Sequence, residues 1–149
     1  WWPVSKMYDH GIKRIKEGGI KVDGILWYQG ESNATACTTP DGPTPSDYQL
    51  ETLRALVAEL APLAKQPTTA RLPNFLMMGL PKMNRPWEPY RAAQRQVCAE
   101  TGAIYVDAFG AGLGDERDVH PRDKVPFAEL AIGALENSKR TTARGRMRK

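Results

Sequence analysis

A capped amphipathic segment set between two short apolar runs constrains the fold of this 149-residue chain more than any other feature. Leu53, Leu56, Val57, Leu60 and Leu63 recur at helical spacing. Ser46 and Gln49 supply the capping box that opens such a helix. Residues 20–28 precede it and residues 74–80 follow it, each an apolar run of strand length bounded by Gly, Pro or Asn. Strand, helix and strand in that order call for a right-handed crossover joining two parallel strands. The pattern continues on both sides. Met7, Ile12 and Ile15 mark an amphipathic helix over residues 5–16, ended by Gly18-Gly19. Residues 90–101 read as a helix stopped by Gly102, residues 103–107 as a short strand, and Phe127, Leu130, Ala131 and Leu135 as a final helix. The alternation predicts a three-layer α/β/α sandwich around a mainly parallel sheet.

Chain length and an ordinary balance of 41% hydrophobic and 26% charged residues fit one domain, placed over residues 1–138. The net charge of +4 does not make a nucleic-acid surface. Lys139, Arg140, Arg144, Arg146, Arg148 and Lys149 outnumber that excess, so the remainder is net acidic. Residues 139–149 are expected to form a solvated, disordered basic tail, and no aromatic residue interleaves with its charges to stack on bases. No apolar run has the roughly 20 residues that a membrane span requires. Cys37 and Cys98 lack metal-type spacing, and the two histidines, His10 and His120, are far apart, so no metal or other cofactor is expected.

The chemistry concentrates in two loops that follow strands. Trp27-Tyr28-Gln29-Gly30-Glu31-Ser32-Asn33 ends the first apolar run in a polar turn, where open α/β sheets build their sites. Gln29 and the Gly30 N–H are candidate oxyanion donors, each such donor being worth on the order of 3 kcal/mol in acyl transfer. Glu31 can orient an imidazole or simply bind backbone amides at the turn. Ser32 comes within one residue of a Gly-x-Ser-x-Gly elbow, but Ala34 replaces the second glycine and a polar, Pro-rich loop over residues 34–45 follows. Ser32 and Asn33 are therefore assigned to binding. His120 lies in Asp118-Val119-His120-Pro121, where an imidazole can carry a proton between hydroxyl and leaving group if a carboxylate orients it. Trp87, flanked by Pro86, Glu88 and Pro89, is expected on a ligand wall.

Read together, the Trp27–Asn33 run, Tyr90-Arg91-Ala92-Ala93-Gln94, and Asp118-Val119-His120-Pro121 followed by Lys124 resemble the sialate O-acetylesterase branch of the SGNH hydrolases. That branch is similar to the acetyl xylan esterases. The resemblance implies a flavodoxin-like sandwich, an acetylated carbohydrate as substrate, His120 as general base, and Gln29-Gly30-Glu31 lining the oxyanion region. It also favours a secreted or periplasmic location. The wider superfamily usually spaces its acid as Asp-x-x-His, whereas Asp118 and His120 are separated by one residue, so Asp118 and Glu31 both stand as candidates to orient the imidazole.

The family carries its nucleophile in an early Gly-x-Ser turn, and nothing upstream of Gly24 matches it; Ser5, in Val4-Ser5-Lys6, lacks the glycine. The expectation is a carboxyl-terminal portion of an esterase, truncated at the amino end, whose partner is the missing amino-terminal segment of the same protein. The alternative is a non-catalytic carbohydrate-binding domain on the same scaffold.

Overall fold

The fold is taken from a computed structural model that describes residues 6–36, 46–65, 74–83, 85, 87–114 and 123–146. Three strands, β1 (Ile25–Trp27), β2 (Phe75–Met78) and β3 (Ile104–Val106), form one sheet in the order β1-β2-β3, and both pairings are parallel. Among the described residues five α-helices accompany them, α1 (Lys6–Glu17), α2 (Glu31–Ala36), α3 (Asp47–Leu60), α4 (Glu88–Thr101) and α5 (Val125–Arg146), with one 3-10 turn at Ala61–Leu63. No described helix is long and apolar enough to cross a membrane.

The two-residue period of the strands sorts the core into two layers. Phe75 and Met77 point to the side of α3 and α4, with Ile25, Trp27 and Tyr105 beside them and Leu53, Leu56, Val57, Ala93 and Val97 packed on top. Ile12 and Ile15 of α1 join this layer. Leu76, Met78, Val106 and Ala108 line the opposite face, covered by Phe127 and Ala131 of α5. The chain is thus an α/β protein whose parallel sheet lies between helical layers. β2 is buried at every position, as a central parallel strand should be.

Local chemistry sets the helix limits. Ser46 accepts a hydrogen bond from the Gln49 N–H while the Gln49 side chain accepts one from the Ser46 N–H, closing the capping box at the start of α3. Gly102 ends α4 in the left-handed conformation, φ 73°, and donates to the Cys98 carbonyl.

Three sequence expectations change. Only Ile25–Trp27 of the run at 20–28 is strand, because Val22 makes an isolated bridge to Ala64 before the chain joins the sheet. Residues 34–36, expected to open a loop, belong instead to α2, and the rest of that expected loop lies outside the described residues. Residues 139–146, expected to belong to a disordered basic tail, continue α5 as far as Arg146.

β1 is an edge strand among the described residues, and its second face is bare. Leu26 points to the α5 side of the sheet but is 52% exposed, because α5 packs on β2 and β3. Ile20, just before β1, is 57% exposed.

Candidate active site

In a parallel sheet all strands deliver their following loops to one edge, and the Gln29–Asn33 run lies there at the end of β1. β1 leads through Tyr28-Gln29-Gly30 into α2, and Gly30 takes φ 142°, a conformation that L side chains rarely adopt. Gly30 is also pressed against the ring of Tyr90 in the first turn of α4. Tyr28 stacks on Phe127 at 5.3 Å between ring centroids, which fixes the start of α5 beside the end of β1. Three connections are therefore held around one corner.

Glu31 opens α2, and its Oε2 accepts a hydrogen bond from the Gly30 N–H at 2.9 Å. The amide expected to serve an oxyanion is thus engaged by a carboxylate, the amide-binding role open to Glu31 from sequence. Gln29 and Asn33 are half-buried next to it, and Ser32 is exposed. Ser32 lies in helical backbone, and no described residue other than glycine has positive φ. The strained corner is thus Gly30, two residues before the serine. A helix does follow the strand, as an elbow requires, but the serine is not at its apex.

Trp87 requires a correction. Its exposure is 2%, and it packs with Leu53, Tyr90 and Leu80 in the core, so its ring offers no face to a ligand. A Trp between two prolines reads as loop from sequence, but here it caps the hydrophobic layer just before α4. This removes one aromatic residue that favoured a carbohydrate-binding role.

Asp118 and His120 fall outside the described residues, as does Cys37. Both flanks of their segment are described. Leu113 accepts from the Lys82 N–H at 2.7 Å, and Gly114 (φ 113°) lies against the Lys82 backbone, tying the loop after β3 to the loop after β2. On the far side Asp123 Oδ1 accepts from the Val125 N–H at 2.9 Å at the start of α5.

The motif at residues 90–94 supplies groups to which sequence reading gave no role. Gln94 is fully buried and spans the exit of β2: its Nε2 donates to the Met78 carbonyl at 3.2 Å and its Oε1 accepts from the Leu80 N–H at 3.3 Å. Gly79 between them admits the Tyr105 hydroxyl against its Cα. Arg91 is buried, with its Nε on Glu88 Oε2 at 3.0 Å and its guanidinium 4.1 Å from the centroid of the Phe109 ring. Glu88 also accepts from Arg95. Burial opposes the charge of Glu88, but hydrogen bonds from Arg95 and Arg91 outweigh it and hold the carboxyl below its ordinary range. Burial, reinforced by the charge of Asp107, pushes the Tyr105 hydroxyl up to about 12, so it stays protonated. A hydroxyl neighbour of this kind is legible in sequence only as one more strand aromatic.

A shallow groove of about 250 Å³ lined by Ile12, Lys13, Lys16, Glu17 and Glu59 lies at the other end of α3 and touches none of these groups.

The family model described as carbohydrate esterase, sialic acid-specific acetylesterase, matches residues 1–127. The chain belongs to that family. The match includes both the Gln29–Glu31 corner and the Asp118-Val119-His120 motif. No curated protein and no solved structure matches the chain. Membership in this carbohydrate esterase family agrees with the resemblance carried by the motifs and with the parallel α/β architecture.

Proposed function

We propose that this chain supplies the oxyanion corner and the general base of a sugar O-acetylesterase, and that the serine nucleophile comes from residues outside it. The observation that carries this reading is the corner itself: Gly30 and Glu31 stand at the carboxyl edge of β1, whose outer edge is unpaired among the described residues. A further parallel strand on that edge would bring its own carboxyl-end loop beside Gln29-Gly30, and open α/β sheets bind their ligands outside the carboxyl ends of their strands. The amino-terminal segment of the same protein is the proposed occupant, and a serine at the end of its strand would meet the corner. The bare face of Leu26 supports the same docking.

In the proposed reaction the serine Oγ attacks the acetyl carbonyl while His120 takes its proton, then gives that proton to the departing sugar oxygen. Water, deprotonated by His120, releases acetate and returns the proton to the serine. Glu31 has two stations. While it holds the Gly30 N–H that amide is occupied; turning toward His120, it frees the N–H for the oxyanion and places a carboxylate on the imidazole. Asp118 is the competing partner of His120.

In the longer protein carrying the upstream segment, His120→Ala should lower kcat/KM for an acetyl ester about 10³-fold or more. Glu31→Gln and Asp118→Asn should differ, the residue that orients the imidazole costing about 10⁴-fold and the other far less. Residues 1–149 alone should be inactive. Hydrolysis by this chain alone, abolished by Ser32→Ala, would overturn the proposal and make Ser32 the nucleophile.

A further inference from the structure

Arg91 is the one buried cation at this edge of the sheet whose hydrogen-bonding capacity is incomplete among the described residues. Its side chain is 6% exposed, its Nε is taken by Glu88, and its Nη1 is fully buried with no hydrogen-bond partner. A buried guanidinium N–H without an acceptor is costly, and such groups in native proteins call for an explanation. Glu88 cannot supply it, because that single carboxylate is shared between Arg91 and Arg95 and leaves the trio with an excess of one positive charge. The other lid on the guanidinium is a ring: Phe109, 43% exposed, stacks over it from the loop that follows β3. The turn that carries it is held by the Gly110 N–H on Asp107 Oδ1 and the Ala111 N–H on the Asp107 carbonyl, but the ring itself is nearly half exposed and can turn aside by rotating its own side chain. The site is next to the chemistry, because Tyr90, the residue before Arg91, forms the wall against Gly30.

We propose that Arg91 is the specificity residue that binds the carboxylate of an acidic sugar, with Phe109 turning aside to admit it. This rests on the reading of the corner as an acetylesterase site. A guanidinium whose Nε is fixed by a carboxylate keeps its outer N–H groups for an incoming acid, and that fork matches carboxylate geometry in a way that no ammonium does. The excess positive charge favours an anionic over a neutral sugar, and the displaced Phe109 ring offers an apolar face to the sugar carbons.

The test is ligand binding, which needs no turnover. N-acetylneuraminic acid and its methyl ester, identical but for the charge, are titrated into the 149-residue chain by saturation-transfer NMR. The acid should bind about tenfold or more tighter than the ester, as loss of one charge-assisted pair implies. Arg91→Gln should bring the acid down to the ester's affinity and leave the ester unchanged, with circular dichroism verifying the fold. Should Arg91→Gln unfold, Phe109→Ala serves in its place: uncovering the guanidinium should tighten acid binding roughly two- to fivefold, by removing the cost of displacing the ring. Equal binding of acid and ester, binding of neither, an acid preference retained in Arg91→Gln, or acid binding unimproved by Phe109→Ala would each overturn the proposal. So would acetate displacing the sugar acid at equal concentration, which would make this a product-acid site. An upstream-extended enzyme that hydrolyses neutral acetylated sugars by way of His120 but shows no preference for acids would sink the Arg91 assignment and leave the esterase reading standing.

Discussion

Gly30 and Tyr90 leave no room for a methyl group between them. A Cβ on Gly30 would stand 2.7 Å from both Cζ and Oη of the tyrosine, and the backbone there has φ 142°. Gly30→Ala should therefore cost about 2–4 kcal/mol, combining backbone strain with overpacking. Urea denaturation measures it. Tyr90→Phe in the same background should restore nothing, since the ring carbon remains; full recovery would show that only the hydroxyl clashes.

Gln94 holds two backbone groups that flank Gly79, and neither has another side chain to replace it in that geometry. Gln94→Ala should destabilise the fold by about 2–4 kcal/mol through a cavity and two unsatisfied peptide groups. Amide exchange gives a sharper readout: the Leu80 N–H should lose protection more than the Met77 N–H in the middle of β2. Equal loss at both would mean that the side chain supports the core generally and not the strand exit.

How far these relationships are legible in sequence depends on the range of the interaction. The capping box of Ser46 and Gln49, the stripe on α3 and the Gly102 stop are local, and each lies where the pattern puts it. Gly30 reads as a turn residue, but its contact with Tyr90 spans the whole crossover and has no local sign. Trp87 goes the other way: its Pro-flanked setting describes the backbone, while its burial depends on α3. Arg91 and Phe109 meet only because the loops after β2 and β3 reach the same edge, and a lone arginine in a helix pattern reads as surface. The Asp118-Val119-His120-Pro121 motif is legible in sequence and lies outside the described residues.

Acid should weaken the clasp between α3 and α4. Arg54 donates through Nε and Nη2 to Glu100, each at 2.8 Å, and this pairing with Gln96's contribution lowers the Glu100 carboxyl from 4.5 to about 2. A carboxyl depressed in the folded state contributes stability that is complete above its unfolded value and lost as pH falls through the folded one. The melting temperatures of the wild type and Glu100→Gln should therefore converge from pH 4.5 down toward about 2 and run parallel above pH 5. The pair is exposed, so added salt should shrink the gap at pH 7. A gap independent of both pH and salt would exclude the ion pair as its source.

Leu26 tests what covers β1. In the 149-residue chain Leu26→Lys should change stability by less than about 1 kcal/mol, because the side chain is half exposed. In the longer protein with its upstream segment, the same change should cost about 2–4 kcal/mol, as a lysine forced under a docked element would. Parallel urea titrations of the two proteins decide it, and an equal effect in both would remove the case for docking on that face.

The position of β2 also has a temporal meaning. It is the one described strand bonded on both sides, and it comes second in the chain. Among the described residues up to Leu63, β1 is the single strand, so α1, α2 and α3 have neither β2 nor β3 to settle on. Only when Met78 clears the ribosome can β1 zip to β2, and the apolar stripe of α3 is borne until then by whatever shields nascent chains.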